Sequence, residues 1–460
     1  MPINDFKGIL KFLIVIAYII KKPLGVYMDI HIFKRGENLA DIARQNNISL
    51  KRLEIDNELV ANTSPNDGQA IMIVHPQRTY TVKEGDTLGS IAQTNEIPII
   101  QLLRNNPEIY DEVTIYPGEE LVISYETNKN INVMGYTSVF IQEEILRKTL
   151  PSLTYLTILN YRVDPSGNIQ DIYDTEVIKM ALEYNVTPIM FVSSMSDSGR
   201  GSYAATHSIL NSTDIQEKLI DNMLMIMKAK GYMGVNLSFI QILQGDLDAY
   251  AEFVARVRER LNQEGYVVFV TLSPNTLKFQ IGYPYTEPYF EEIGKASNFV
   301  ILITYLWQEG HINQLYQTTS YYLKVYLDFV MTQIPPEKIM LGLTRIAYDW
   351  ELPYIEGETI GAPLSNSSAM DLANQIGSTI EFDEVTQTPY FYYNISGAEH
   401  YVWFKDVRSV EAILRLVDDY GLYGIAIWNI MYYHSQTWLA INSEYNVNTY
   451  ENKSQEPSKS

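Results

Sequence analysis

The chain has no cysteine and few basic residues for its length, and both shortages exclude classes of function. Without cysteine it can form neither disulfides nor thiolate sites. The 55 acidic residues outnumber the 34 basic ones, which gives a formal net charge of −21. Phosphate backbones are bound by clustered Lys and Arg, so we expect no nucleic-acid partner. The six histidines are scattered without HExxH spacing, and we therefore expect no metal site and no cofactor.

A long apolar run is also missing. Near the N-terminus, Phe12–Ile20 gives nine apolar residues between lysines, whereas a bilayer span needs about 20. No small-x-small cleavage site follows this run. We interpret residues 1–27 as an upstream extension produced by a wrong start codon. A membrane anchor through residues 8–20 is the alternative.

Two segments near the N-terminus repeat each other: HIFKRGENLADIARQNNISLKRLEIDN and YTVKEGDTLGSIAQTNEIPIIQLLRNNP. Each has a short strand, two amphipathic helices and a closing strand, AIMIV or ELVIS, and the two copies lie about 48 residues apart. Asn38 and Thr87 stand where helix N-caps are expected. The pattern predicts βααβ modules at 29–75 and 79–124.

These repeats resemble the lysin motif (LysM), a domain that binds N-acetylglucosamine polymers. The second copy is the closer match, since the first has Asp67 where the second has Pro117. In that family the sugar lies between the loop before the first helix and the loop after the second. The resemblance implies these contact residues: Gly36, Glu37, Asn38, Gly85, Asp86, Thr87, Pro107, Glu108 and Ile109. The alternative is that they only cap helices and form turns.

From residue 131 onward, eight apolar runs alternate with amphipathic helical segments. The runs are 131–139, 155–164, 187–194, 234–239, 266–274, 299–307, 338–350 and 424–431. Eight such units predict an α/β TIM barrel over 131–447, because buried parallel strands read as continuous apolar runs. The long gap at 351–423 is interpreted as a small α+β insertion, and 448–460 as a polar tail.

The predicted C-terminal ends of these strands, where TIM barrels carry their chemistry, are rich in aromatic residues. They are Tyr136, Tyr161, Tyr305, Trp307, Tyr348, Trp350 and Trp428. Aromatic rings stack on sugars while their OH and NH groups reach hydroxyls, so the set favours a carbohydrate cleft. Plain core packing is the alternative for any one of them.

The order of these parts resembles the spore branch of glycoside hydrolase family 18, the cortex-lytic N-acetylglucosaminidases. The stretches NYRVDPSGNI, GYMGVN, ITYLW and VWFKDVRS carry the resemblance. It implies that the partner is peptidoglycan or another N-acetylglucosamine polymer. It also implies a location in the spore envelope, cortex or cell wall, with synthesis in the mother-cell cytoplasm.

The family's strand-four motif, D-x-x-D-x-D-x-E, is degenerate here. Its final Glu protonates the glycosidic oxygen, and the preceding Asp orients the substrate's acetamido group. The four positions hold Met233, Asn236, Ser238 and Ile240. Isoleucine cannot donate a proton, and general acid catalysis contributes about 10²–10⁴-fold. We therefore predict a barrel that binds glycan, in part through Asn236, without hydrolysing it.

Two alternatives remain open at this stage. An active N-acetylglucosaminidase would need a relocated carboxylate, for which Asp246, Asp248 and Glu309 are the candidates. A scaffold whose cleft binds nothing would have its aromatic rim collapsed on itself. On strand six, Leu306 stands where the branch usually carries a carboxylate, which favours the binding protein over the enzyme.

Overall fold

The computed structural model describes residues 28–59, 64–110, 115–195, 202–239, 242–273, 289–303, 320–355 and 358–449. The extension at 1–27, with the anchor considered for 8–20, and nearly all of the polar tail lie outside these residues. Within them, no helix combines the length and the hydropathy needed to cross a membrane.

Each repeat folds into two helices packed on a two-stranded antiparallel sheet. An asparagine after the second helix ties that helix to the closing strand. Asn57 Nδ2 donates to the carbonyl oxygens of Leu53 and Met72, at 3.0 and 2.8 Å. Asn106 makes the equivalent bonds in the second module. The elements are β1 (Met28–Ile32), α1 (Leu39–Gln45), α2 (Leu50–Asp56), β2 (Ala70–Val74), β3 (Arg78–Thr81), α3 (Leu88–Thr94), α4 (Ile99–Asn105) and β4 (Glu120–Ser124).

Eight parallel strands then close into a barrel, which confirms the predicted fold. Their order follows the chain, and the last strand pairs with the first. At this closure a Cβ on Gly424 would lie 2.0 Å from the Asn132 carbonyl oxygen, so the close approach requires glycine. The strands are β5 (Lys129–Ser138), β6 (Tyr155–Arg162), β7 (Thr187–Ser193), β8 (Gly234–Ser238), β9 (Val267–Leu272), β10 (Phe299–Leu302), β11 (Ile339–Thr344) and β17 (Gly424–Trp428). A short strand, β18 (Tyr445–Val447), pairs with β5 outside the closure.

Helices surround the barrel and cover the outward-facing side chains of its strands. Val133, Val235 and Leu237 belong to this outer core, whereas Met134, Phe191 and Phe269 fill the interior. The alternation follows from the two-residue period of a strand. The surrounding helices are α5 (Glu143–Thr149), α6 (Thr175–Glu183), α7 (Tyr203–Leu210), α8 (Thr213–Lys230), α9 (Leu247–Asn262), α10 (Phe290–Ala296), α11 (Ser320–Val330), α13 (Val407–Tyr420) and α14 (Ser435–Glu444).

The insertion begins and ends earlier than the predicted range, 351–423. The single apolar run 338–350 is two strands separated at Arg345, because the chain leaves the barrel there and enters a second, five-stranded sheet. Helix α13 belongs to the barrel, since Val410 and Leu414 pack in its outer core. The insertion comprises β12 (Ile346–Leu352), β13 (Ala362–Ser365), α12 (Asn366–Ile376), β14 (Glu381–Asp383), β15 (Thr388–Ile395) and β16 (Ala398–Trp403).

Both N-terminal modules pack directly on the rest of the molecule. Gln436 on α14 donates to Asn57 Oδ1 in the first module at 2.9 Å. Arg104 of the second module donates from Nε to the Pro151 carbonyl oxygen at 2.6 Å. Asn66 of the first module also reaches the insertion, at the Met370 carbonyl oxygen. These contacts fix the modules in position against the barrel.

Candidate glycan-binding site

Two of the strand-four residues singled out in the sequence, Asn236 and Ser238, point into the barrel. Asn236 is fully buried, and its side chain bridges two strands: Oδ1 accepts from the Tyr136 hydroxyl at 3.3 Å, and Nδ2 donates to Thr271 Oγ1 at 3.1 Å. Two residues on, Ser238 lies on the same face of β8. Its Oγ is buried and has no hydrogen-bond partner among the described residues. Polar groups without charge therefore occupy these two inward-facing positions of β8.

Tyr136 and Trp428 lie together inside the barrel, with ring centroids 5.2 Å apart. Burial raises the pKa of Tyr136 above its ordinary value, so its hydroxyl stays protonated and donates to Asn236. Tyr136 is buried, whereas Trp428 remains partly accessible. Trp428 is thus a partly accessible ring at the C-terminal end of β17, and Tyr136 packs against it inside the barrel.

The structure places Tyr161 away from the barrel interior. Its side chain is fully buried in the layer between strands and helices, where its hydroxyl donates to Asp174 and accepts from Lys230 Nζ. The outward direction follows from an irregular register between β6 and β7, which breaks the simple alternation of side chains. We therefore remove Tyr161 from the proposed sugar contacts.

Tyr348 and Trp350 lie on β12, in the insertion sheet, and not at the end of a barrel strand. Both are buried, and they pack with Trp403 in one aromatic cluster. The sequence pattern misplaced them because it did not separate β11 from β12. Tyr348 therefore packs in a core, which was the alternative to contact with sugar.

The remaining predicted site residues of the barrel lie outside the described residues. They are Ile240, Tyr305 and Trp307, together with Leu306 and Glu309. The predictions made for them stay predictions.

Asp246, one of the carboxylates considered as a relocated acid, is already engaged. Its Oδ2 lies 2.8 Å from His207 Nδ1, and its Oδ1 accepts from Asn211 Nδ2 at 3.0 Å. These hydrogen bonds, that from His207 first, lower the pKa of Asp246. A carboxylate that is ionised at neutral pH cannot serve as the proton donor. Asp248 is exposed on the first turn of α9.

Two exposed aromatic residues that the sequence did not single out lie at the C-terminal rim. Phe140, 85% exposed, follows β5, and Tyr432, 60% exposed, follows β17. These loops are neighbours because β5 and β17 pair, and Met431 Sδ lies 3.3 Å from the Ser138 amide nitrogen. The signal in the sequence was an aromatic residue within four positions of a barrel strand's end.

In both N-terminal modules, the loop before the first helix is stabilised by its own side chains. Asn38 Oδ1 accepts from the Ala40 amide, and Thr87 forms a reciprocal capping pair with Ser90. Glu37 and Asp86 each accept from a loop amide three residues earlier. Gly36 and Gly85 adopt positive φ, 94° and 84°, and a Cβ at either position would have no neighbour within 4 Å. The residues cap and turn the chain, and the two glycines and the caps remain exposed.

The loop after the second helix of module two faces the protein instead of solvent. Glu108 Oε1 lies 3.2 Å from Nη1 of Arg52 in the first module, and Ile109 is buried. Pro107 is half-buried beside them. The neighbouring module therefore contacts one side of the groove that the LysM resemblance implies. Glu108 and Ile109 are poor candidates for sugar contact for this reason.

Residues 132–432 match Glycosyl hydrolases family 18, about two thirds of the chain. The chain belongs to this family. Residues 31–73 and 80–124 each match the LysM domain, which agrees with the two modules.

Named proteins are similar to this chain over most of its length. The family 18 chain is 28% identical to the YdhD protein of Bacillus subtilis (strain 168) over 411 residues, 88% of this chain and 95% of YdhD. It is 28% identical to a cortical fragment-lytic enzyme of Bacillus anthracis over 336 residues, 71% of this chain and 78% of that enzyme. The crystal structure of the Bacillus cereus spore cortex-lytic enzyme SleL superposes with a TM-score of 0.75 at 25% identity, covering 92% of this chain and all of SleL.

Proposed function

We propose that this family 18 chain binds peptidoglycan, or another N-acetylglucosamine polymer, and does not hydrolyse it. The observation that carries the proposal is the inward-facing pair Asn236 and Ser238 on β8, with Ile240 following in sequence. Neither of the two described side chains can protonate a leaving group or hold a negative charge beside an acetamido group. The partly accessible Trp428 remains as a stacking surface.

The engagement of Asp246 supports the same proposal. A relocated acid must reach the glycosidic oxygen in its protonated form. Asp246 instead accepts two hydrogen bonds and has a lowered pKa. The alternative function, an active N-acetylglucosaminidase, is favoured by the relatives named for cortex lysis. It would need a carboxylate other than Asp246.

A spore cortex or cell wall is the proposed location. LysM modules and a family 18 barrel both suit N-acetylglucosamine polymers, and two of the named relatives are a cortical fragment-lytic enzyme and a spore cortex-lytic enzyme. Because the modules are fixed against the barrel, their loops and the barrel mouth are held at constant separation. Binding through several fixed sites raises avidity only for a ligand that spans them, such as a long glycan strand.

The decisive experiment restores the missing carboxylates. We expect Ser238→Asp combined with Ile240→Glu to release N-acetylglucosaminidase products from purified cortex peptidoglycan, and the native protein to release none. Soluble fragments would be identified by mass spectrometry. The matched control, Ser238→Asp with Ile240→Gln, keeps the shape of the acid and removes its proton. Release by the native protein would instead establish the enzyme.

Glycan binding by the exposed LysM loops has a separate test. Asparagine tolerates positive φ better than other non-glycine residues, so Gly36→Asn with Gly85→Asn should fold while adding bulk to both loops. We expect the double variant to cosediment with insoluble peptidoglycan several-fold less than the native protein. Gly118→Asn, at φ 94° in another exposed turn, is the control. An equal loss of cosedimentation in the double variant and in Gly118→Asn would argue against glycan binding by these loops.

A further inference from the structure

A pocket of about 260 Å³ lies where the barrel, the insertion and the loop after β17 meet. Its walls include Arg345, which separates β11 from β12, the 363–367 segment and the 432–434 segment. None of its lining residues belongs to the interior cluster around Tyr136 and Trp428. The pocket is therefore separate from that interior cluster, and it borders the C-terminal rim through Asn429 and Tyr432.

Arg345 is the unusual feature of this pocket. It is only 7% exposed, and its guanidinium lies over the Trp438 ring, with Cζ 5.7 Å from the ring centroid. Nη2 donates to the Tyr432 carbonyl oxygen. Nε and Nη1 are buried without a hydrogen-bond partner among the described residues. A buried charged donor left unpaired is costly, so an acceptor placed against this guanidinium would stabilise it.

Among the described residues, no acidic side chain forms an ion pair with Arg345. Glu58 of the first module acts on Arg345 electrostatically, but its Oε2 accepts from the Ser435 amide, and no ion pair joins it to Arg345 in the described part of the chain. Burial and the Arg345 charge lower the pKa of His434 to about 3, so this imidazole is neutral. Arg345 is thus the one fixed positive charge among the described residues that line the pocket.

The other lining residues indicate which further chemical groups a ligand of this pocket would have. Ile346 and Leu364 supply apolar surface, while Ser367 and Asn429 supply polar groups. One positive charge, with Glu58 nearby, favours a monoanion over a doubly charged phosphate. The volume lies just below the roughly 300–1,000 Å³ usual for small-molecule pockets. A compact, partly apolar monoanion fits these conditions.

We propose that this pocket binds a small monocarboxylate of about the size of an N-acylated amino acid, with its carboxylate facing Arg345. The proposal depends neither on glycan binding nor on the catalytic state of the barrel. It assigns Arg345 as the residue that selects for the negative charge, and the 363–367 segment as the wall that limits the size of the ligand.

The test is calorimetric titration of the full-length protein with N-acetylalanine, N-acetylalaninamide and inorganic phosphate. We expect N-acetylalanine to bind, and the uncharged amide and phosphate to bind at least about tenfold more weakly, because hydrogen bonds to charged groups contribute the most. Arg345→Met should raise the dissociation constant for N-acetylalanine at least about tenfold. Arg44→Met removes the same charge from an exposed site and should leave binding unchanged.

A second variant protects the test against misfolding of Arg345→Met. Ser367 is exposed at the pocket wall, so Ser367→Trp should fill the pocket and abolish binding while Arg345 remains. Equal affinity for the carboxylate and its amide would overturn the proposal. So would tighter binding of phosphate than of N-acetylalanine, no binding by the native protein, or unchanged binding in a folded Ser367→Trp variant.

Discussion

Asn236 shows how one residue sets the chemistry of the barrel interior. Its amide bridges Tyr136 on the first barrel strand and Thr271 on the fifth. The two neutral hydroxyls complete the hydrogen bonding of an amide, whereas a buried carboxylate there would need a cation or further donors. The residue therefore stabilises the barrel interior without a charge, and Ser238, two residues further along β8, adds none.

Glu444, at the end of α14, gives a prediction at the same scale. Burial, and then the negative charge of Glu411, raises its pKa from an ordinary 4.5 to about 7. For a carboxyl with a raised pKa, folding is favoured below pH 4.5, and this benefit is lost as pH rises through 7. We expect Glu444→Gln to increase the free energy of unfolding by up to about 3 kcal/mol at pH 8 and to change it little at pH 4.

Urea unfolding at the two pH values measures this difference. Glu176, exposed on α6, provides the control, and Glu176→Gln should have the same small effect at both pH values. An equal effect of Glu444→Gln at pH 4 and pH 8 would show that Glu444 is not buried in its ionised form.

At the scale of elements, helix α2 joins the two LysM modules through Arg52. Its guanidinium pairs with the buried Asp56 on the same helix and with Glu108 of the second module. Burial raises the pKa of Asp56, and Arg52 opposes that rise. Removing one partner of a buried pair costs about 3–5 kcal/mol, because the other charge stays buried alone. We therefore expect the Arg52→Met variant to lose this amount of its free energy of unfolding at pH 8.

The same variant should recover stability in acid. Without Arg52 the pKa of Asp56 rises further, so lowering the pH to 5 protonates the carboxyl and relieves part of the penalty. Unfolding of native protein, Arg52→Met and the exposed-site control Arg44→Met at both pH values checks this expectation. A cost for Arg52→Met that grows between pH 8 and pH 5 would contradict it.

At the scale of the whole molecule, the modules and the barrel form one continuous packed structure. Gln436 is the central contact: its buried Nε2 donates to Asn57 Oδ1 and to the Ala70 carbonyl oxygen, both at 2.9 Å. Gln436→Ala removes the donor to both acceptors, which should lower the free energy of unfolding by about 1–3 kcal/mol. We expect hydrogen exchange to become faster in β2 and to stay unchanged in β4.

The control for this prediction is Gln93→Ala, an exposed position on α3. Unchanged exchange in β2 of the Gln436→Ala variant would indicate that other contacts, such as that between Asn66 and Met370, hold the first module in place.

The sequence alone determined the repeats and the barrel, and it predicts that the strand-four carboxylates are lost. These features depend on local periods and spacings: two residues for strands, a capped helix after a glycine turn, and a motif within one strand. Asn236 and Ser238 could be placed on the inner face of β8 for the same reason. The family assignment from these motifs was confirmed by the match over 132–432.

Only the tertiary structure decided which aromatic residues and loops are accessible. Tyr161 turns outward at an irregular pairing of two strands, Tyr348 lies beyond a break inside an apolar run, and Glu108 pairs with a residue 56 positions away. The unpaired guanidinium of Arg345 likewise depends on segments far apart in sequence. Burial and pairing of these groups are set by long-range contacts, and no local pattern encodes those contacts.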